Sequence, residues 1–186
     1  MVSIFPGSRK FELHNLMNTF IEAAKELKKK YPDVQFCISH APNIKDEVYN
    51  KYLKDTEFKV IKGENQQLLS VSDSLILASG TVALEATLYQ TPMLIAYRGP
   101  WFFYLVYLLV RCIKRVSLPN IIADKEIVKE LIQHKLSVKN IFDETEKLLF
   151  NKIYREIHVS ELGKIKAMLS DKVSSEEVAK IIVKNL

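Results

Sequence analysis

Five short apolar runs alternate with helix-forming stretches over the first 97 residues, and this alternation restricts the fold more than any other feature. The runs lie at 2–5, 34–39, 58–61, 74–78 and 93–97. They lack period-two patterning, so we expect each strand to be buried on both faces, as in a parallel sheet covered by helices. The sequence therefore predicts an α/β fold with a parallel sheet and helices on both faces.

The segments between and after these runs are predicted to be helical. Apolar residues recur at helical spacing between 13 and 27, and shorter helices are predicted over 45–54, 65–72 and 82–89. After residue 120 the pattern is entirely helical, with helices over roughly 124–133, 138–149, 151–169 and 174–185. We therefore expect a ligand-binding sheet domain at 1–120. Residues 121–186 would form helices that pack on it, on another domain or on a partner subunit.

Composition limits the classes of function that are available. A chain of 186 residues can bury one sizeable core and is short for two full domains. Cys37 and Cys112 are far apart and are expected to be reduced core thiols. The four histidines show no metal-ligand spacing and no Asp-x-Asp pair occurs, so neither a metal nor another cofactor is expected. The net charge of +5 suits an anionic ligand or membrane surface, and no basic stretch with interleaved aromatic residues indicates a nucleic-acid partner.

Polar clusters follow three of the predicted strands at their carboxyl ends, where open parallel sheets bind ligands. The clusters are Gly7, Ser8 and Arg9 after the first strand, Ser79, Gly80 and Thr81 after the fourth, and Tyr97 and Arg98 after the fifth. Glycine lets backbone N–H groups approach a ligand, and a helix N-terminus favours an anion. The two arginines can add charge-assisted hydrogen bonds to a diphosphate. A simple strand-to-helix turn is the alternative for any one cluster, but three together favour a binding site.

Glu85 lies one turn into the helix that follows the fourth strand. In a capping box the acid lies three residues after a Ser or Thr cap, but that position is Val82, and Thr81 is four residues away. Capping therefore does not account for Glu85. A carboxylate is repelled by a diphosphate but can accept hydrogen bonds from a neighbouring diol such as a ribose. Diphosphate and ribose together predict a nucleotide ligand, with a solvated Glu85 as the alternative.

Three longer stretches occur in the order seen in one known family. They read "FPGSRKFEL", "DSLILASGTVALEATLYQTPMLIAYR" and "VSLPNIIADKEIVKELIQ". They resemble the C-terminal half of lipid-A-disaccharide synthases, and the resemblance extends to "SSEEVAKIIV" near the end of the chain. The Ser-Gly-Thr and Glu element is shared with other B-type glycosyltransferases, whereas Leu-Pro-Asn at 118–120 combined with Gly-Ser-Arg is much more specific. The resemblance implies a Rossmann-like C-terminal domain of the GT-B glycosyltransferase fold.

The resemblance also implies a substrate and a location. The family is an inverting glycosyltransferase of lipid A biosynthesis that transfers diacylglucosamine from UDP-2,3-diacylglucosamine to 2,3-diacylglucosamine 1-phosphate and releases UDP. Its donor nucleotide rests mainly on the C-terminal domain, which implies a UDP site here. Taken with the sheet-edge argument, the candidate residues are Gly7, Ser8, Arg9, Ser79, Gly80, Thr81, Glu85, Arg98 and Asn120. The implied location is peripheral, on the cytoplasmic face of the bacterial inner membrane, and a homodimer is possible.

The family enzyme is much longer than this chain. The resemblance places the catalytic base and most of the acceptor site in a half that this chain lacks, and no His–acid pair or carboxylate pair is evident at the expected sheet edge. We therefore expect a truncated chain that binds nucleotide but forms no disaccharide. Met1 is followed almost at once by a strand-like run, so no signal peptide is expected. The alternatives are a UDP-sugar epimerase-like fragment or a non-catalytic module that binds a nucleotide or a membrane surface.

The segment at 101–115 is the most lipid-like part of the sequence. Its apolar run "WFFYLVYLLV" has ten residues, whereas a membrane-spanning helix needs roughly 20. One interpretation is a helix buried between domains or subunits. The other is a surface for acyl chains or the membrane interface, with basic residues near anionic headgroups. The residues expected at that surface are Trp101, Phe102, Phe103, Arg111, Lys114 and Arg115.

Overall fold

The computed structural model describes residues 1–99, 115–170 and 182–183. Its principal elements are six strands, seven α-helices and a short 3₁₀ helix at Gln133–Lys135. The strands are β1 (Val2–Phe5), β2 (Phe36–His40), β3 (Lys59–Lys62), β4 (Ser74–Ala78), β5 (Met93–Tyr97) and β6 (Lys129–Ile132). The helices are α1 (Lys10–Lys30), α2 (Asp46–Leu53), α3 (Asn65–Val71), α4 (Val82–Tyr89), α5 (Leu118–Ala123), α6 (Val138–Phe150) and α7 (Lys152–Ser170).

All six strands pair in parallel, in the order β3-β2-β1-β4-β5-β6. Every residue of β1, β2 and β4 is buried, which explains why these strands show no alternation of apolar and polar residues. The predicted α/β class, the first five strands and the helices between them are confirmed.

The C-terminal region is not entirely helical, so that part of the prediction is wrong. β6 lies within the stretch 124–133 that was predicted to be a helix, and α5 begins earlier, at Leu118. Lysine, glutamate and leucine favour a helix locally. The backbone of β5, however, pairs with this segment, from Leu94 with Lys129 to Tyr97 with Ile132. Pairing with β5 therefore overrides the local preference. Helices α6 and α7 confirm the predictions at 138–149 and 151–169, and most of 174–185 lies outside the described residues.

Two apolar clusters cover the two faces of the sheet. On one face, Ile4, Ile76 and Leu94 pack with α1, α2 and α6. On the other face, Leu75 and Leu77 belong to a cluster that includes α3, α4 and α7. Neighbouring residues of one strand point to opposite faces, so each strand contributes to both clusters. The result is a three-layer arrangement with a helix layer on each side of the sheet.

The C-terminal elements belong to the same structural unit as the sheet. β6 extends the sheet beyond β5. Helix α6 packs against α1, and α7 packs against α4, α5 and α6. Among the described residues, the elements after residue 120 therefore pack on the sheet, and the division of the chain at residue 120 stays a prediction.

Candidate functional site

The strand order places a topological switch point between β1 and β4. β1 and β4 are neighbours, with Phe5 opposite Leu77, and the chain continues outward from them toward opposite edges of the sheet. In such sheets the connections at the carboxyl ends separate there and leave a crevice where ligands bind. The turns after β1 and β4 therefore flank one crevice, and β5, which ends at Tyr97, lies next to β4. The structure thus brings the three predicted clusters to one sheet edge.

The turn between β1 and α1 is closed by a side chain of its own helix. Gly7 has a φ of +100°, a left-handed conformation that favours glycine. Oε2 of Glu12 accepts hydrogen bonds from the backbone N–H groups of Ser8 (2.9 Å) and Arg9 (3.2 Å). The guanidinium of Arg9 lies 3.3 Å from Oε1 of Glu12, while the Arg9 side chain is 81% exposed. The backbone N–H groups of Ser8 and Arg9, which the sequence analysis expected to approach an anionic ligand, are therefore already paired with the Glu12 carboxylate.

The turn between β4 and α4, by contrast, is open. The N–H of Ser79 donates to Ala96, but the N–H groups of Gly80, Thr81 and Val82 have no hydrogen-bond partner among the described residues. A Cβ added to Gly80 would meet no atom of the described residues within 4 Å, and Gly80 does not have a positive φ. Neither packing against the described residues nor backbone conformation requires glycine here, so these residues leave space beside Gly80 for a ligand.

Glu85 lies in the first turn of α4 and is exposed. It forms no side-chain hydrogen bond or ion pair with the described residues, and the side chain of Thr81 makes no capping hydrogen bond. This arrangement agrees with the argument that capping does not explain Glu85. The carboxylate is therefore free to accept hydrogen bonds from a ligand beside the open turn.

Arg98 is only partly available to a ligand. Its side chain is half-buried, and Nη2 donates to the carbonyl of Leu136 over 2.8 Å. This bond ties the end of β5 to the segment that precedes α6. The remaining guanidinium N–H groups are the ones that can meet an anion.

Asn120 is not brought to the carboxyl edge. Its side chain is buried, and Oδ1 accepts from the N–H groups of Ile127 (2.8 Å) and Val128 (2.9 Å), which directly precede β6. Nδ2 donates to the Val128 carbonyl and to Glu130, each over 2.8 Å. An amide whose hydrogen bonds are already made inside the fold holds a loop rather than a nucleotide, which corrects the prediction of direct contact.

Two organising carboxylates were missed by the sequence analysis. Glu12 closes the turn after β1, and Glu130 accepts hydrogen bonds from Ser117 N–H (2.8 Å), Ser117 Oγ (2.7 Å) and Asn120. Glu12 lies three residues after Arg9, which is not a Ser or Thr cap, so the capping-box pattern did not mark it. Nothing in the sequence connects Glu130 to Ser117, because the contact depends on β6 being a strand.

A His–acid pair that was not anticipated lies at the same sheet edge. Nε2 of His40, the last residue of β2, is 2.9 Å from Oδ1 of Asp46, although their orientation makes no hydrogen bond. Lys62 lies 2.6 Å from Oδ2 of Asp46 and holds the pKa of that carboxyl below its usual value. The three residues line a cavity of about 520 Å³ that also includes Asn43, whose amide donates to the carbonyl of Ser8.

The predicted lipid-facing residues fall mostly outside the described part of the chain. Trp101, Phe102, Phe103, Arg111 and Lys114 are not among the described residues. Arg115 is described, and its guanidinium pairs with the Asp124 carboxylate. In the described part of the chain, no helix is long and apolar enough to cross a membrane. Nor do those residues contain a group of three or more His, Cys, Asp or Glu side chains placed to hold a metal.

Comparisons with known sequences point to one family. The sequence profile of the lipid-A-disaccharide synthetase family matches residues 1–183. A lipid-A-disaccharide synthase of Anaeromyxobacter dehalogenans is 32% identical over 185 residues, which are 98% of this chain and 48% of the relative. One of Vibrio campbellii is 37% identical over 153 residues, 80% of this chain and 40% of the relative. The chain therefore spans about half or less of the length of these relatives.

Comparisons with solved structures identify the fold. A protein of Listeria monocytogenes described as a UDP-N-acetylglucosamine 2-epimerase matches 92% of this chain with a TM-score of 0.60 and 16% identity. TarM of S. aureus, solved with UDP and other ligands, matches 98% of this chain with a TM-score of 0.60 and 16% identity. These matches cover 46% and 34% of the respective structures. The described fold is that of the Rossmann-like C-terminal domain of a GT-B protein.

Proposed function

Since this chain belongs to the lipid-A-disaccharide synthetase family, we propose that it is the UDP-binding half of a lipid-A-disaccharide synthase. The observation that carries the proposal is the open turn after β4, next to the switch point between β1 and β4. The donor would be UDP-2,3-diacylglucosamine and the acceptor 2,3-diacylglucosamine 1-phosphate, with UDP as the leaving group of an inverting sugar transfer.

The diphosphate is assigned to the turn after β4. The unpaired N–H groups of Gly80 and Thr81 can donate to phosphate oxygens, and the positive end of the α4 dipole lies at the same place. Arg9, whose side chain is 81% exposed, supplies a cation from the other side of the switch point. Arg98 adds its remaining guanidinium N–H groups. These groups would also stabilise the charge that develops on UDP as it leaves.

The ribose is assigned to Glu85. This carboxylate lies one turn along α4 from the open N–H groups and is exposed, without a partner among the described residues. A diol is an uncharged donor of two hydrogen bonds, so it can occupy a position beside a carboxylate that a phosphate cannot. This assignment places the sugar of the nucleotide over α4 and its phosphates over the turn.

Calorimetry with UDP, GDP and ADP tests the proposal. We expect the folded chain to bind UDP and to bind the other two more weakly. In Gly80→Val the new Cβ meets no atom of the described residues within 4 Å, so the thermal unfolding midpoint should stay close to that of the unaltered chain, whereas UDP binding should be lost. A folded chain that binds none of the three nucleotides would exclude the UDP function.

An epimerase-like activity is the second candidate, since the fold also matches a structure described as a UDP-N-acetylglucosamine 2-epimerase. At 16% identity this match shows the fold alone. The two activities differ in their products, because an epimerase converts one UDP-sugar into another and releases no UDP in sugar transfer. Incubation with a UDP-sugar, followed by analysis of the nucleotide-sugar pool, separates them. Only an epimerase would alter that pool, because the transferase half alone and a non-catalytic binding module would both leave it unchanged.

We further propose that residues 101–115 contact acyl chains or an anionic membrane surface at the cytoplasmic face of the inner membrane. The support is the sequence, in which an aromatic apolar run is followed by basic residues. Co-sedimentation with anionic vesicles should fall when Trp101, Phe102 and Phe103 are changed to Ser, and salt should weaken only the electrostatic part. Equal recovery in the supernatant with and without vesicles would contradict this proposal. A homodimer is a further expectation, to be tested by sedimentation.

A further inference from the structure

Glu12 places an anion inside the turn that precedes α1. Its carboxylate accepts two consecutive backbone N–H groups, those of Ser8 and Arg9, and lies beside the Arg9 guanidinium. The Glu12 side chain is only 17% exposed. Gly7 makes room for it, because a Cβ at Gly7 would overlap the Glu12 carboxylate.

This set of donors is the one that a phosphate group would use. Consecutive backbone N–H groups next to a residue in the left-handed region form an anion-binding concavity, and an arginine adds charge. The carboxylate of Glu12 thus occupies the position of a ligand oxygen. A phosphate cannot share these donors with the carboxylate, because two anions would then be in contact.

We propose that Glu12 is an internal anion that competes with the phosphate groups of the ligand for the turn after β1. The inference rests on the proposed function, which assigns a nucleoside diphosphate to this sheet edge. The phosphate nearest β1 displaces Glu12 after the ligand has engaged the open turn after β4.

The contacts of Glu12 suit a group that is displaced. They are local, spanning three and four residues, and two of the three are long, at 3.2 and 3.3 Å. Glu12 lies in the first turn of α1, so rotation of its side chain frees the turn without unwinding the helix. Arg9, being 81% exposed, can follow either the carboxylate or a phosphate.

The competition predicts selectivity among anions. A small free anion such as inorganic phosphate must displace Glu12 with no other contact to compensate. A nucleoside diphosphate also contacts the unpaired N–H groups at Gly80 and Thr81, so it can displace Glu12. The internal carboxylate therefore keeps the turn closed to single phosphates and admits a ligand that reaches both turns.

Calorimetry on Glu12→Gln tests the inference, with UDP, uridine and inorganic phosphate as probes. Removal of the competing charge should tighten UDP binding roughly three- to tenfold. Binding of inorganic phosphate should tighten as well, while the affinity for uridine should not change. The matched control is Glu22→Gln, which removes the same charge from an exposed position of the same helix and should change none of these affinities.

A second measurement uses the unaltered chain, so it does not depend on the stability of Glu12→Gln. In the unaltered chain, the amide resonances of Ser8 and Arg9 should shift when UDP is added, because their hydrogen-bond acceptor changes. Unchanged or weaker UDP binding in Glu12→Gln, or unmoved resonances of Ser8 and Arg9 on saturation with UDP, would overturn the inference. Failure of the proposed function gives a different result, in which neither the folded unaltered chain nor Glu12→Gln binds UDP.

Discussion

Asn120 and Glu130 together hold the start of α5 against β6. The Asn120 amide bonds to the backbone just before β6, and Glu130 accepts from Ser117 and from Asn120. Both residues stand in the stretch 116–133, on which part of the family resemblance rests. In this structure their chemistry is structural, since each polar atom of the Asn120 side chain is used within the fold.

Asn120→Ala should therefore destabilise the protein rather than act on the ligand alone. The change leaves the half-buried N–H of Ile127, the buried N–H and carbonyl of Val128 and part of the Glu130 carboxylate without their partner, which costs roughly 2–3 kcal/mol. Urea unfolding measures the loss. Asn15→Ala is the control, because Asn15 is half-buried on α1 and its side chain donates one local, exposed hydrogen bond to the carbonyl of Phe11, so the change should cost much less. Equal stability of the two variants would contradict the structural role of Asn120.

Glu85→Ala should weaken UDP binding without changing the fold. Loss of a hydrogen bond to a charged group costs about 1.5–3 kcal/mol, which corresponds to roughly ten- to hundredfold in affinity. If Glu85 binds the ribose diol, Glu85→Ala should reduce the affinity for 2′-deoxy-UDP less than it reduces the affinity for UDP, because the deoxy ligand lacks one of the two hydroxyl groups. Glu156→Ala, an exposed carboxylate on α7, is the matched control and should leave the affinity unchanged. UDP affinity that survives Glu85→Ala would exclude this assignment.

At the scale of elements, a buried histidine ties α7 to the sheet. Nε2 of His158 accepts a hydrogen bond from the backbone N–H of Met93 at the start of β5, over 3.2 Å. Burial, with a smaller contribution from Arg155, lowers the pKa of His158 from 6.5 to about 4. The neutral imidazole is therefore the form that the fold requires, since a protonated Nε2 cannot accept. Tyr154 links α7 to α6 by donating to Glu144 over 2.6 Å.

The lowered pKa of His158 makes stability depend on pH. Between pH 6.5 and about 4 the unfolded chain binds more protons at this residue than the folded chain does, so the free energy of unfolding falls as the pH falls. The loss attributable to His158 should reach roughly 2–3 kcal/mol near the lower end of this window.

Urea unfolding at pH 7 and pH 4.5 measures this effect. His158→Gln keeps a carbonyl that can accept from Met93 but does not titrate, so its loss on acidification should be smaller by that amount. His14→Gln, at an exposed position of α1, should keep the full dependence. The same dependence in His158→Gln as in the unaltered chain would contradict the assignment.

At the scale of the whole molecule, one sheet edge gathers the polar groups that can act on a ligand. The turns after β1 and β4 lie there, and the pair of His40 and Asp46 lies at the end of β2. An inverting transfer also needs a base for the acceptor hydroxyl. Nε2 of His40 is buried and faces Asp46, so it is not placed to take a proton from a substrate.

The 186-residue chain should bind UDP but form no disaccharide. A base and a second surface to orient the acceptor are both needed for transfer, and the described residues supply neither. The assay supplies UDP-2,3-diacylglucosamine and 2,3-diacylglucosamine 1-phosphate and follows UDP release and product mass. Turnover comparable to that of a full-length relative would contradict the prediction, and its loss in His40→Asn would then place the base in this chain.

Local sequence determined much of the fold and of the candidate site. The strands β1, β2, β4 and β5 and the helices α1 to α4 were predictable because strands buried in a parallel sheet are mostly apolar and helices repeat with their own period. The edge strand β3 is not buried, and it was predictable only from its short apolar run. The same reasoning placed Gly80, Thr81 and Glu85 after a strand, at the edge where parallel sheets bind ligands. These features depend on neighbours in the chain, and so a single sequence reveals them.

Tertiary structure alone decided the features that depend on residues distant in sequence. β6 is a strand because its backbone pairs with that of β5. This pairing places Glu130 where it accepts hydrogen bonds from Ser117 and Asn120. The hydrogen bond from Met93 to His158 likewise joins residues that are 65 positions apart. The helix and strand propensities of ordinary residues differ by less than about 1 kcal/mol per residue. Backbone pairing and side-chain burial therefore outweigh these propensities where a segment lies beside an unpaired strand.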